Sequence, residues 1–341
     1  LINQGPIIKV HSLVTNLIDK VELIDVYYFD EIKILKFPCN TYKIKYNTPI
    51  NFDQYDIIHS SNFRPDNYVI KWRNNIHSAK IITTLHQDTF ISLGYKYYKL
   101  IADVLSYYWL YKQNKFDGIT TISNQLKDKY KKVLSNKIKT IYNGCNVNLD
   151  GNKINLEYEE KIKILKGKNF NILGTYAYIT KRKGVHQILE ALPILTNFAL
   201  VIIGEGPEIS SLMKITKKLN LEERVIFLPY LTAPYNYLEL FDVYMMTSYS
   251  EGFGLSMVEA ALVKRSIVCS DIPSFHELFD KGEVEFFTLD NKISLVNAII
   301  NAYENKNKRG ELAYKKASSK FTSAVMAANY LNYYHNIIKQ N

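Results

Sequence analysis

The chain has 341 residues, of which 47% are hydrophobic and 22% charged, and a net charge of +10. That length exceeds one hydrophobic core and implies two domains, and the composition excludes disordered, collagenous and coiled-coil chains. The basic excess admits phosphorylated ligands, nucleic acid or an anionic membrane surface as partners, and a codon bias towards Lys and Asn accounts for it equally well.

Cys39, Cys145 and Cys269 are widely spaced and form no Cys-x-x-Cys pair. This speaks against a disulfide framework and a zinc site, and for free thiols in a reducing cytoplasm. The apolar runs fall short of a span of about 20 residues, and no signal peptide is read. The chain starts at Leu1 without a methionine, so a few residues of a first strand are expected to precede it.

In chain order, a Gly5-Pro6 turn leads into a helix over 7–19, and strands follow at 26–29, 55–59 and 81–85. A long aromatic helix is predicted over 95–114, then a strand at 118–122, a helix at 124–133 and a strand at 139–142. Interleaved Tyr, Trp and Lys in the aromatic helix suit a membrane interface, or a buried helix with snorkelling ends. The chain carries 27 tyrosines in all, which favours burial. The first domain is expected over 1–150, and the polar stretch 151–168 reads as a linker leading into a new helix.

The second domain is expected over 169–318, with the same alternation. Its strands are predicted at 169–176, 198–203, 225–228, 243–246 and 267–270, and its helices at 184–195, 208–219, 234–241 and 255–264. A C-terminal helical segment, 319–341, is expected to pack back on the first domain. Strands alternating with helices imply parallel β-α-β units. In such sheets ligands bind at the carboxyl ends of the strands, in a cleft.

The most informative segment is 250–260. A strand runs into a loop with Gly252 and Gly254, and the loop into a helix. Glycines let backbone amides approach a ligand, and the helix start favours an anion such as a diphosphate. Glu251 and Glu259 flank the turn at a spacing of eight. A carboxylate accepts two hydrogen bonds from a vicinal diol, so Glu259 suits a ribose and Glu251 the hydroxyls of a bound sugar. Thr180-Lys181-Arg182-Lys183-Gly184 places cations before a helix, where they neutralise a leaving diphosphate.

The run from Glu251 through Gly252, Phe253, Gly254 and Leu255 to Glu259 resembles the Glu-x7-Glu signature of glycosyltransferase family 4, a retaining family. Gly204-Glu205-Gly206-Pro207, the strand around Phe227 and the segment 270–278 resemble further parts of the same family. The resemblance is dense over 169–278. It implies the α/β GT-B fold: two doubly wound, Rossmann-like parallel-sheet domains facing a cleft.

It implies donor contacts from Gly252, Phe253, Gly254, Leu255, Glu259, Gly204, Phe227 and the N-terminal Gly5. Catalytic roles fall to Glu251, Arg182, Lys183 and His86, which ends the strand at 81–85 as the family's histidine does. Asp88 is a weaker candidate, and Asn143-Gly144 resembles a structural turn near the hinge. The family usually has an Arg where this chain has Tyr178, so the role passes to Arg182 and Lys183.

The resemblance further implies transfer of a sugar from a UDP- or GDP-sugar to a glycan or lipid-linked hydroxyl, in bacterial surface polysaccharide or lipopolysaccharide synthesis. No cofactor and no metal is expected, in keeping with the absence of an Asp-x-Asp pair. A cytoplasmic location is expected, with peripheral contact at the inner face of an anionic membrane. Rival readings are a sugar-nucleotide epimerase, a phosphorylase, or a non-catalytic basic polyanion binder. The cations are dispersed along the chain, which speaks against nucleic acid as a partner.

Overall fold

The computed structural model describes residues 5–30, 35–86, 88–94, 98–134, 138–147 and 154–340. The chain divides into two compact units: residues up to Cys145 together with those from Lys320 onward, and residues Asn146–Ser319.

Unit 1 begins with α1 (Gly5–Leu17), β1 (Asp25–Tyr28), β2 (Asn40–Lys43), β3 (Ile57–Ser61) and α2 (Phe63–Lys71). It continues through β4 (Lys80–Leu85), α3 (Thr89–Gly94), α4 (Lys99–Gln113), β5 (Gly118–Thr121), α5 (Asn124–Tyr130) and β6 (Ile138–Thr140). Strands β3-β4-β5-β6 form a parallel sheet, and β1 and β2 a separate parallel pair. In β4 the run Ile81 to Leu85 is wholly buried, as a strand covered on both faces requires.

A buried carboxylate fastens this unit together. Asp66 on α2 accepts hydrogen bonds from Ser60 Oγ at 2.6 Å, Thr83 Oγ1 at 2.8 Å, and Trp109 Nε1 and Gln113 Nε2 at 3.0 Å each. Burial raises its carboxyl to about 6 despite these donors. The bonds fix which side of α4 turns inward, where Ser106, Trp109 and Gln113 are buried with Ala102 and Leu110. A second apolar face points out, with Leu100 77%, Val104 61% and Tyr111 68% exposed. This corrects the expectation that the aromatic helix is buried. Buried polar groups need partners, and Asp66 supplies those of Trp109 Nε1 and Gln113 Nε2. Of the predicted span 95–114, residues 95–97 lie outside the described ones.

Unit 2 runs α6 (Leu156–Gly167), β7 (Asn171–Tyr176), α7 (His186–Ala191), β8 (Phe198–Ile203), α8 (Ile209–Lys218), β9 (Val225–Leu228), β10 (Val243–Met246) and α9 (Leu255–Leu262). Then come β11 (Ser266–Ser270), α10 (Pro273–His276), β12 (Glu285–Phe287), α11 (Lys292–Glu304) and α12 (Lys306–Lys320). Its six parallel strands lie in the order β12-β11-β10-β7-β8-β9. The chain builds outward from β7 to β9, then crosses to β10 on the other side of β7. The order therefore reverses between β7 and β10, a topological switch point.

The stretch expected as a linker holds α6 from residue 156. Asn155 caps the helix by accepting from Glu157 N and Tyr158 N, and Ile162 and Leu165 are buried. The charges that suggested a linker pair along its surface, Lys161 with Glu157 and Lys163 with Glu159. The predicted helix over 184–195 also differs. Lys181–Lys183 form a separate 3-10 turn that ends on Gly184 in the left-handed conformation, φ 61°, and α7 starts at His186. A side chain at Gly184 would put its Cβ 2.2 Å from Thr247 O.

After unit 2 the chain returns to unit 1 as α13 (Ser323–Ile338). Met326, Tyr330, Tyr333 and Ile337 pack with Ile82 of the four-stranded sheet and with Ile141, which follows β6. Gly144 lies against this segment: a Cβ there would meet Thr322 O at 2.2 Å.

Candidate functional site

The loops after β7 and β10 meet at the switch point of unit 2. Lys183 Nζ lies 2.6 Å from Glu251 Oε1, and Arg182 Nη1 lies 3.3 Å from Glu251 Oε2. Arg182 also donates to the Ser250 carbonyl, and Ser248 Oγ to Glu251 Oε1 at 2.8 Å. The backbone joins the two loops again, through Tyr249 N to Arg182 O at 2.8 Å. Burial pushes the Glu251 carboxyl up, but Lys183 and Arg182 outweigh it and hold the group below the usual carboxylate range. Two cations against one carboxylate leave a net positive charge at this point. Lys181 is exposed at the surface.

Gly254 is the N-cap of α9, with φ 88°, a conformation that costs glycine little, and no side chain caps the helix. Phe253 is buried and Gly252 exposed, and Leu255 opens the helix half-buried. An uncapped helix start beside two cations suits an anion. Further along α9, Glu259 Oε2 accepts from Tyr176 OH at 2.6 Å. Tyr176 ends β7, and it is the residue the sequence reading missed. A tyrosine closing a buried strand has the pattern of a core residue, and nothing local links it to a glutamate 83 positions away. Gly204 follows β8 and its N–H donates to Leu228 O at 3.0 Å. Phe227 on β9 is half-buried against the core of unit 2.

The structure thus brings Arg182, Lys183 and Glu251 into one cluster, on the unit that also carries Gly252, Gly254 and Glu259. His86 and Gly5 belong to unit 1, where Gly5 is the first residue of α1.

Unit 1 contains a cavity of about 870 Å³ whose lining includes His59, His86, Lys9 and Asn143. His86 Nε2 lies 2.5 Å from Ser61 Oγ. His59 bridges Tyr334 OH and Thr84 Oγ1, each at 2.7 Å. Burial, with Lys9 adding to it, lowers His86 to about 4, and burial, with His86 adding to it, lowers His59 to about 3. Both imidazoles are therefore neutral near pH 7. Asp88 pairs with Lys129 and accepts from Phe90 N at 3.0 Å at the start of α3.

These two histidines predict an acid-sensitive unit. Unfolded imidazoles protonate near 6.5, folded ones only near 4 and 3, so stability present above 6.5 is lost as pH falls towards 4. Asp66, raised to about 6, opposes part of this between 6 and 4. Both tryptophans, Trp72 and Trp109, lie in unit 1, so tryptophan fluorescence follows this unit alone. The urea midpoint is expected to be lower at pH 5 than at pH 7. An equal or higher midpoint at pH 5 contradicts the prediction.

The chain was compared with known proteins. A family model described as "Glycosyl transferases group 1" matches residues 157–318, and one described as "Glycosyltransferase Family 4" matches residues 38–149. The chain is 30% identical over 344 residues to the O-antigen biosynthesis glycosyltransferase WclY of Escherichia coli, covering 98% of this chain and 96% of that one. Its fold is similar to a crystal structure of a glycosyltransferase from Rickettsia africae, with TM-score 0.75, 16% identity, and 100% and 97% of the two chains covered. It is also similar to Anabaena HepE in complex with UDP and glucose, with TM-score 0.74, 18% identity, and 97% and 95% covered. With both units matched and a relative aligned over nearly its whole length, the chain belongs to the two-domain GT-B glycosyltransferases.

Proposed function

We propose that the protein transfers a hexosyl residue from a UDP- or GDP-sugar to a hydroxyl of a glycan or lipid-linked acceptor, with retention and without a metal. The observation that carries this reading is the cluster of Lys183, Arg182 and Glu251 beside the uncapped start of α9. Breaking the bond between the anomeric carbon and the phosphate oxygen develops negative charge on the leaving diphosphate. Arg182, Lys183 and the first turn of α9 would stabilise that charge, as fixed donors and cations do wherever charge develops. Glu259, steadied by Tyr176, would hold the ribose diol. Glu251 would meet the hydroxyls of the donor sugar. His86, neutral at the end of β4, would act from the lining of the unit 1 cavity, which would receive the acceptor.

The O-antigen role printed for WclY supports a bacterial surface glycan as product, lipopolysaccharide included, and the UDP in the HepE complex supports a uridine donor. A cytoplasmic protein touching the inner membrane face fits a lipid-linked acceptor.

Excess UDP or GDP should stabilise the protein in the presence of EDTA. At about 100 times the dissociation constant the gain is about 2.7 kcal/mol, read as a rise in melting temperature. A rise seen only with magnesium or manganese would remove metal independence. No rise with either nucleotide, with or without metal, would remove the donor site.

A further inference from the structure

Helix α4 buries one side and leaves an apolar face uncovered. Its inward side carries Ala102 and Leu110 with Ser106, Trp109 and Gln113, the last two bonded to the buried Asp66. Its outward side presents Leu100, Ile101, Val104, Tyr107, Tyr108 and Tyr111, each about half exposed or more. Asp103, the helix's single acidic residue, is half-buried. The exposed positions between Lys99 and Lys115 are therefore all apolar or aromatic, with an exposed lysine at either end. Tyr98, 86% exposed, extends the surface by one ring. From Leu100 to Tyr111 the strip is about 18 Å long. A continuous apolar face of that kind on a monomer marks an interaction surface.

The chemistry of the strip selects its occupant. Tyrosine rings with aliphatic neighbours and flanking lysines suit the headgroup level of a bilayer, where the ring is buried and the hydroxyl stays wet. Beside the strip Tyr107 packs edge-on against Phe90 at 5.0 Å, and Lys129, 5.2 Å over the same ring, is paired with Asp88. A second copy of the chain is a poorer match, because a two-fold pairing of the strip sets Lys99 of one copy towards Lys115 of the other. Among the described residues no helix is long and apolar enough to cross a membrane, so the strip would lie on the surface.

We propose that α4 docks the protein flat on an anionic lipid bilayer, inserting the strip from Leu100 to Tyr111 between headgroups while Lys99 and Lys115 pair with lipid phosphates. The proposal names the surface by which the enzyme would reach a membrane, and it stands apart from the donor site, since vesicle binding needs no substrate.

The test is flotation of the full chain with vesicles of phosphatidylcholine alone, and of phosphatidylcholine and phosphatidylglycerol in equal amounts. The wild type is expected to float with the anionic vesicles only, and less at high salt. The double variant Val104→Ser, Tyr111→Ser should lose affinity for them on the order of tenfold, as should Lys99→Gln, Lys115→Gln. All four side chains are exposed, so unchanged melting temperatures are expected and serve as the folding control. Failure of the wild type to float overturns the proposal, as does a serine variant that floats like the wild type. Wild-type dimers abolished by the serine variant, with no vesicle binding by either, overturn it in favour of a second copy.

Discussion

Lys183→Ala and Arg182→Ala are each expected to lower kcat on the order of 100-fold, the scale on which single donors to a developing oxyanion act. Both cations already converge on Glu251, Lys183 at 2.6 Å and Arg182 at 3.3 Å. That carboxylate balances one of the two charges, so a positive charge remains for the diphosphate. The leaving diphosphate carries more charge than the same group esterified to a sugar. Cations meeting it therefore favour the transition state over bound substrate, and their loss appears in kcat rather than only in KM. Lys181, exposed on the same turn, is the control and should stay within about twofold of wild type.

Lys183→Ala has a second consequence. The Glu251 side chain is 10% exposed and would lose its nearest cation, which destabilises a buried charge. Melting temperatures of all three variants must therefore accompany the kinetics. A crippled Lys181→Ala beside two normal neighbours would move the diphosphate to the outer lysine. Three normal variants would leave the cluster as an ion pair without a catalytic part.

The sequence shows some of this arrangement and hides the rest for physical reasons. Strand β8 is buried along all six residues and reads as an unbroken apolar run. The Gly252–Glu259 segment is local, so its loop and helix are visible in one stretch of chain. Strand β2, Asn40–Lys43, is exposed at every position and carries no alternation to detect. The direction in which α4 faces depends on Asp66, which precedes the helix by more than thirty residues. The union of Lys183 with Glu251 spans 68 positions and comes from sheet topology, through the reversal of strand order between β7 and β10. In the fold the basic turn and the glycine loop, read from the sequence as separate segments, lie side by side on one unit.

Glu259→Ala is expected to weaken nucleoside diphosphate binding about ten- to a hundredfold with the fold intact. Hydrogen bonds to a charged group contribute about 1.5–3 kcal/mol each, and about 1.4 kcal/mol is tenfold in affinity, so the net loss of one bond from a ribose diol gives that range. Tyr176 OH, 2.6 Å from Glu259 Oε2, aims the carboxylate without being needed for its charge. Tyr176→Phe should consequently cost less, about threefold to tenfold. Calorimetric titration with UDP and with 2′-deoxy-UDP separates a ribose contact from a general loss of charge. The wild type should discriminate against the deoxy nucleotide, Tyr176→Phe should discriminate less, and Glu259→Ala should bind both alike. If Glu259→Ala keeps the full preference for the ribonucleotide, the diol is held by another group, and the Tyr176–Glu259 bond serves only to close the C-terminal end of β7 against α9.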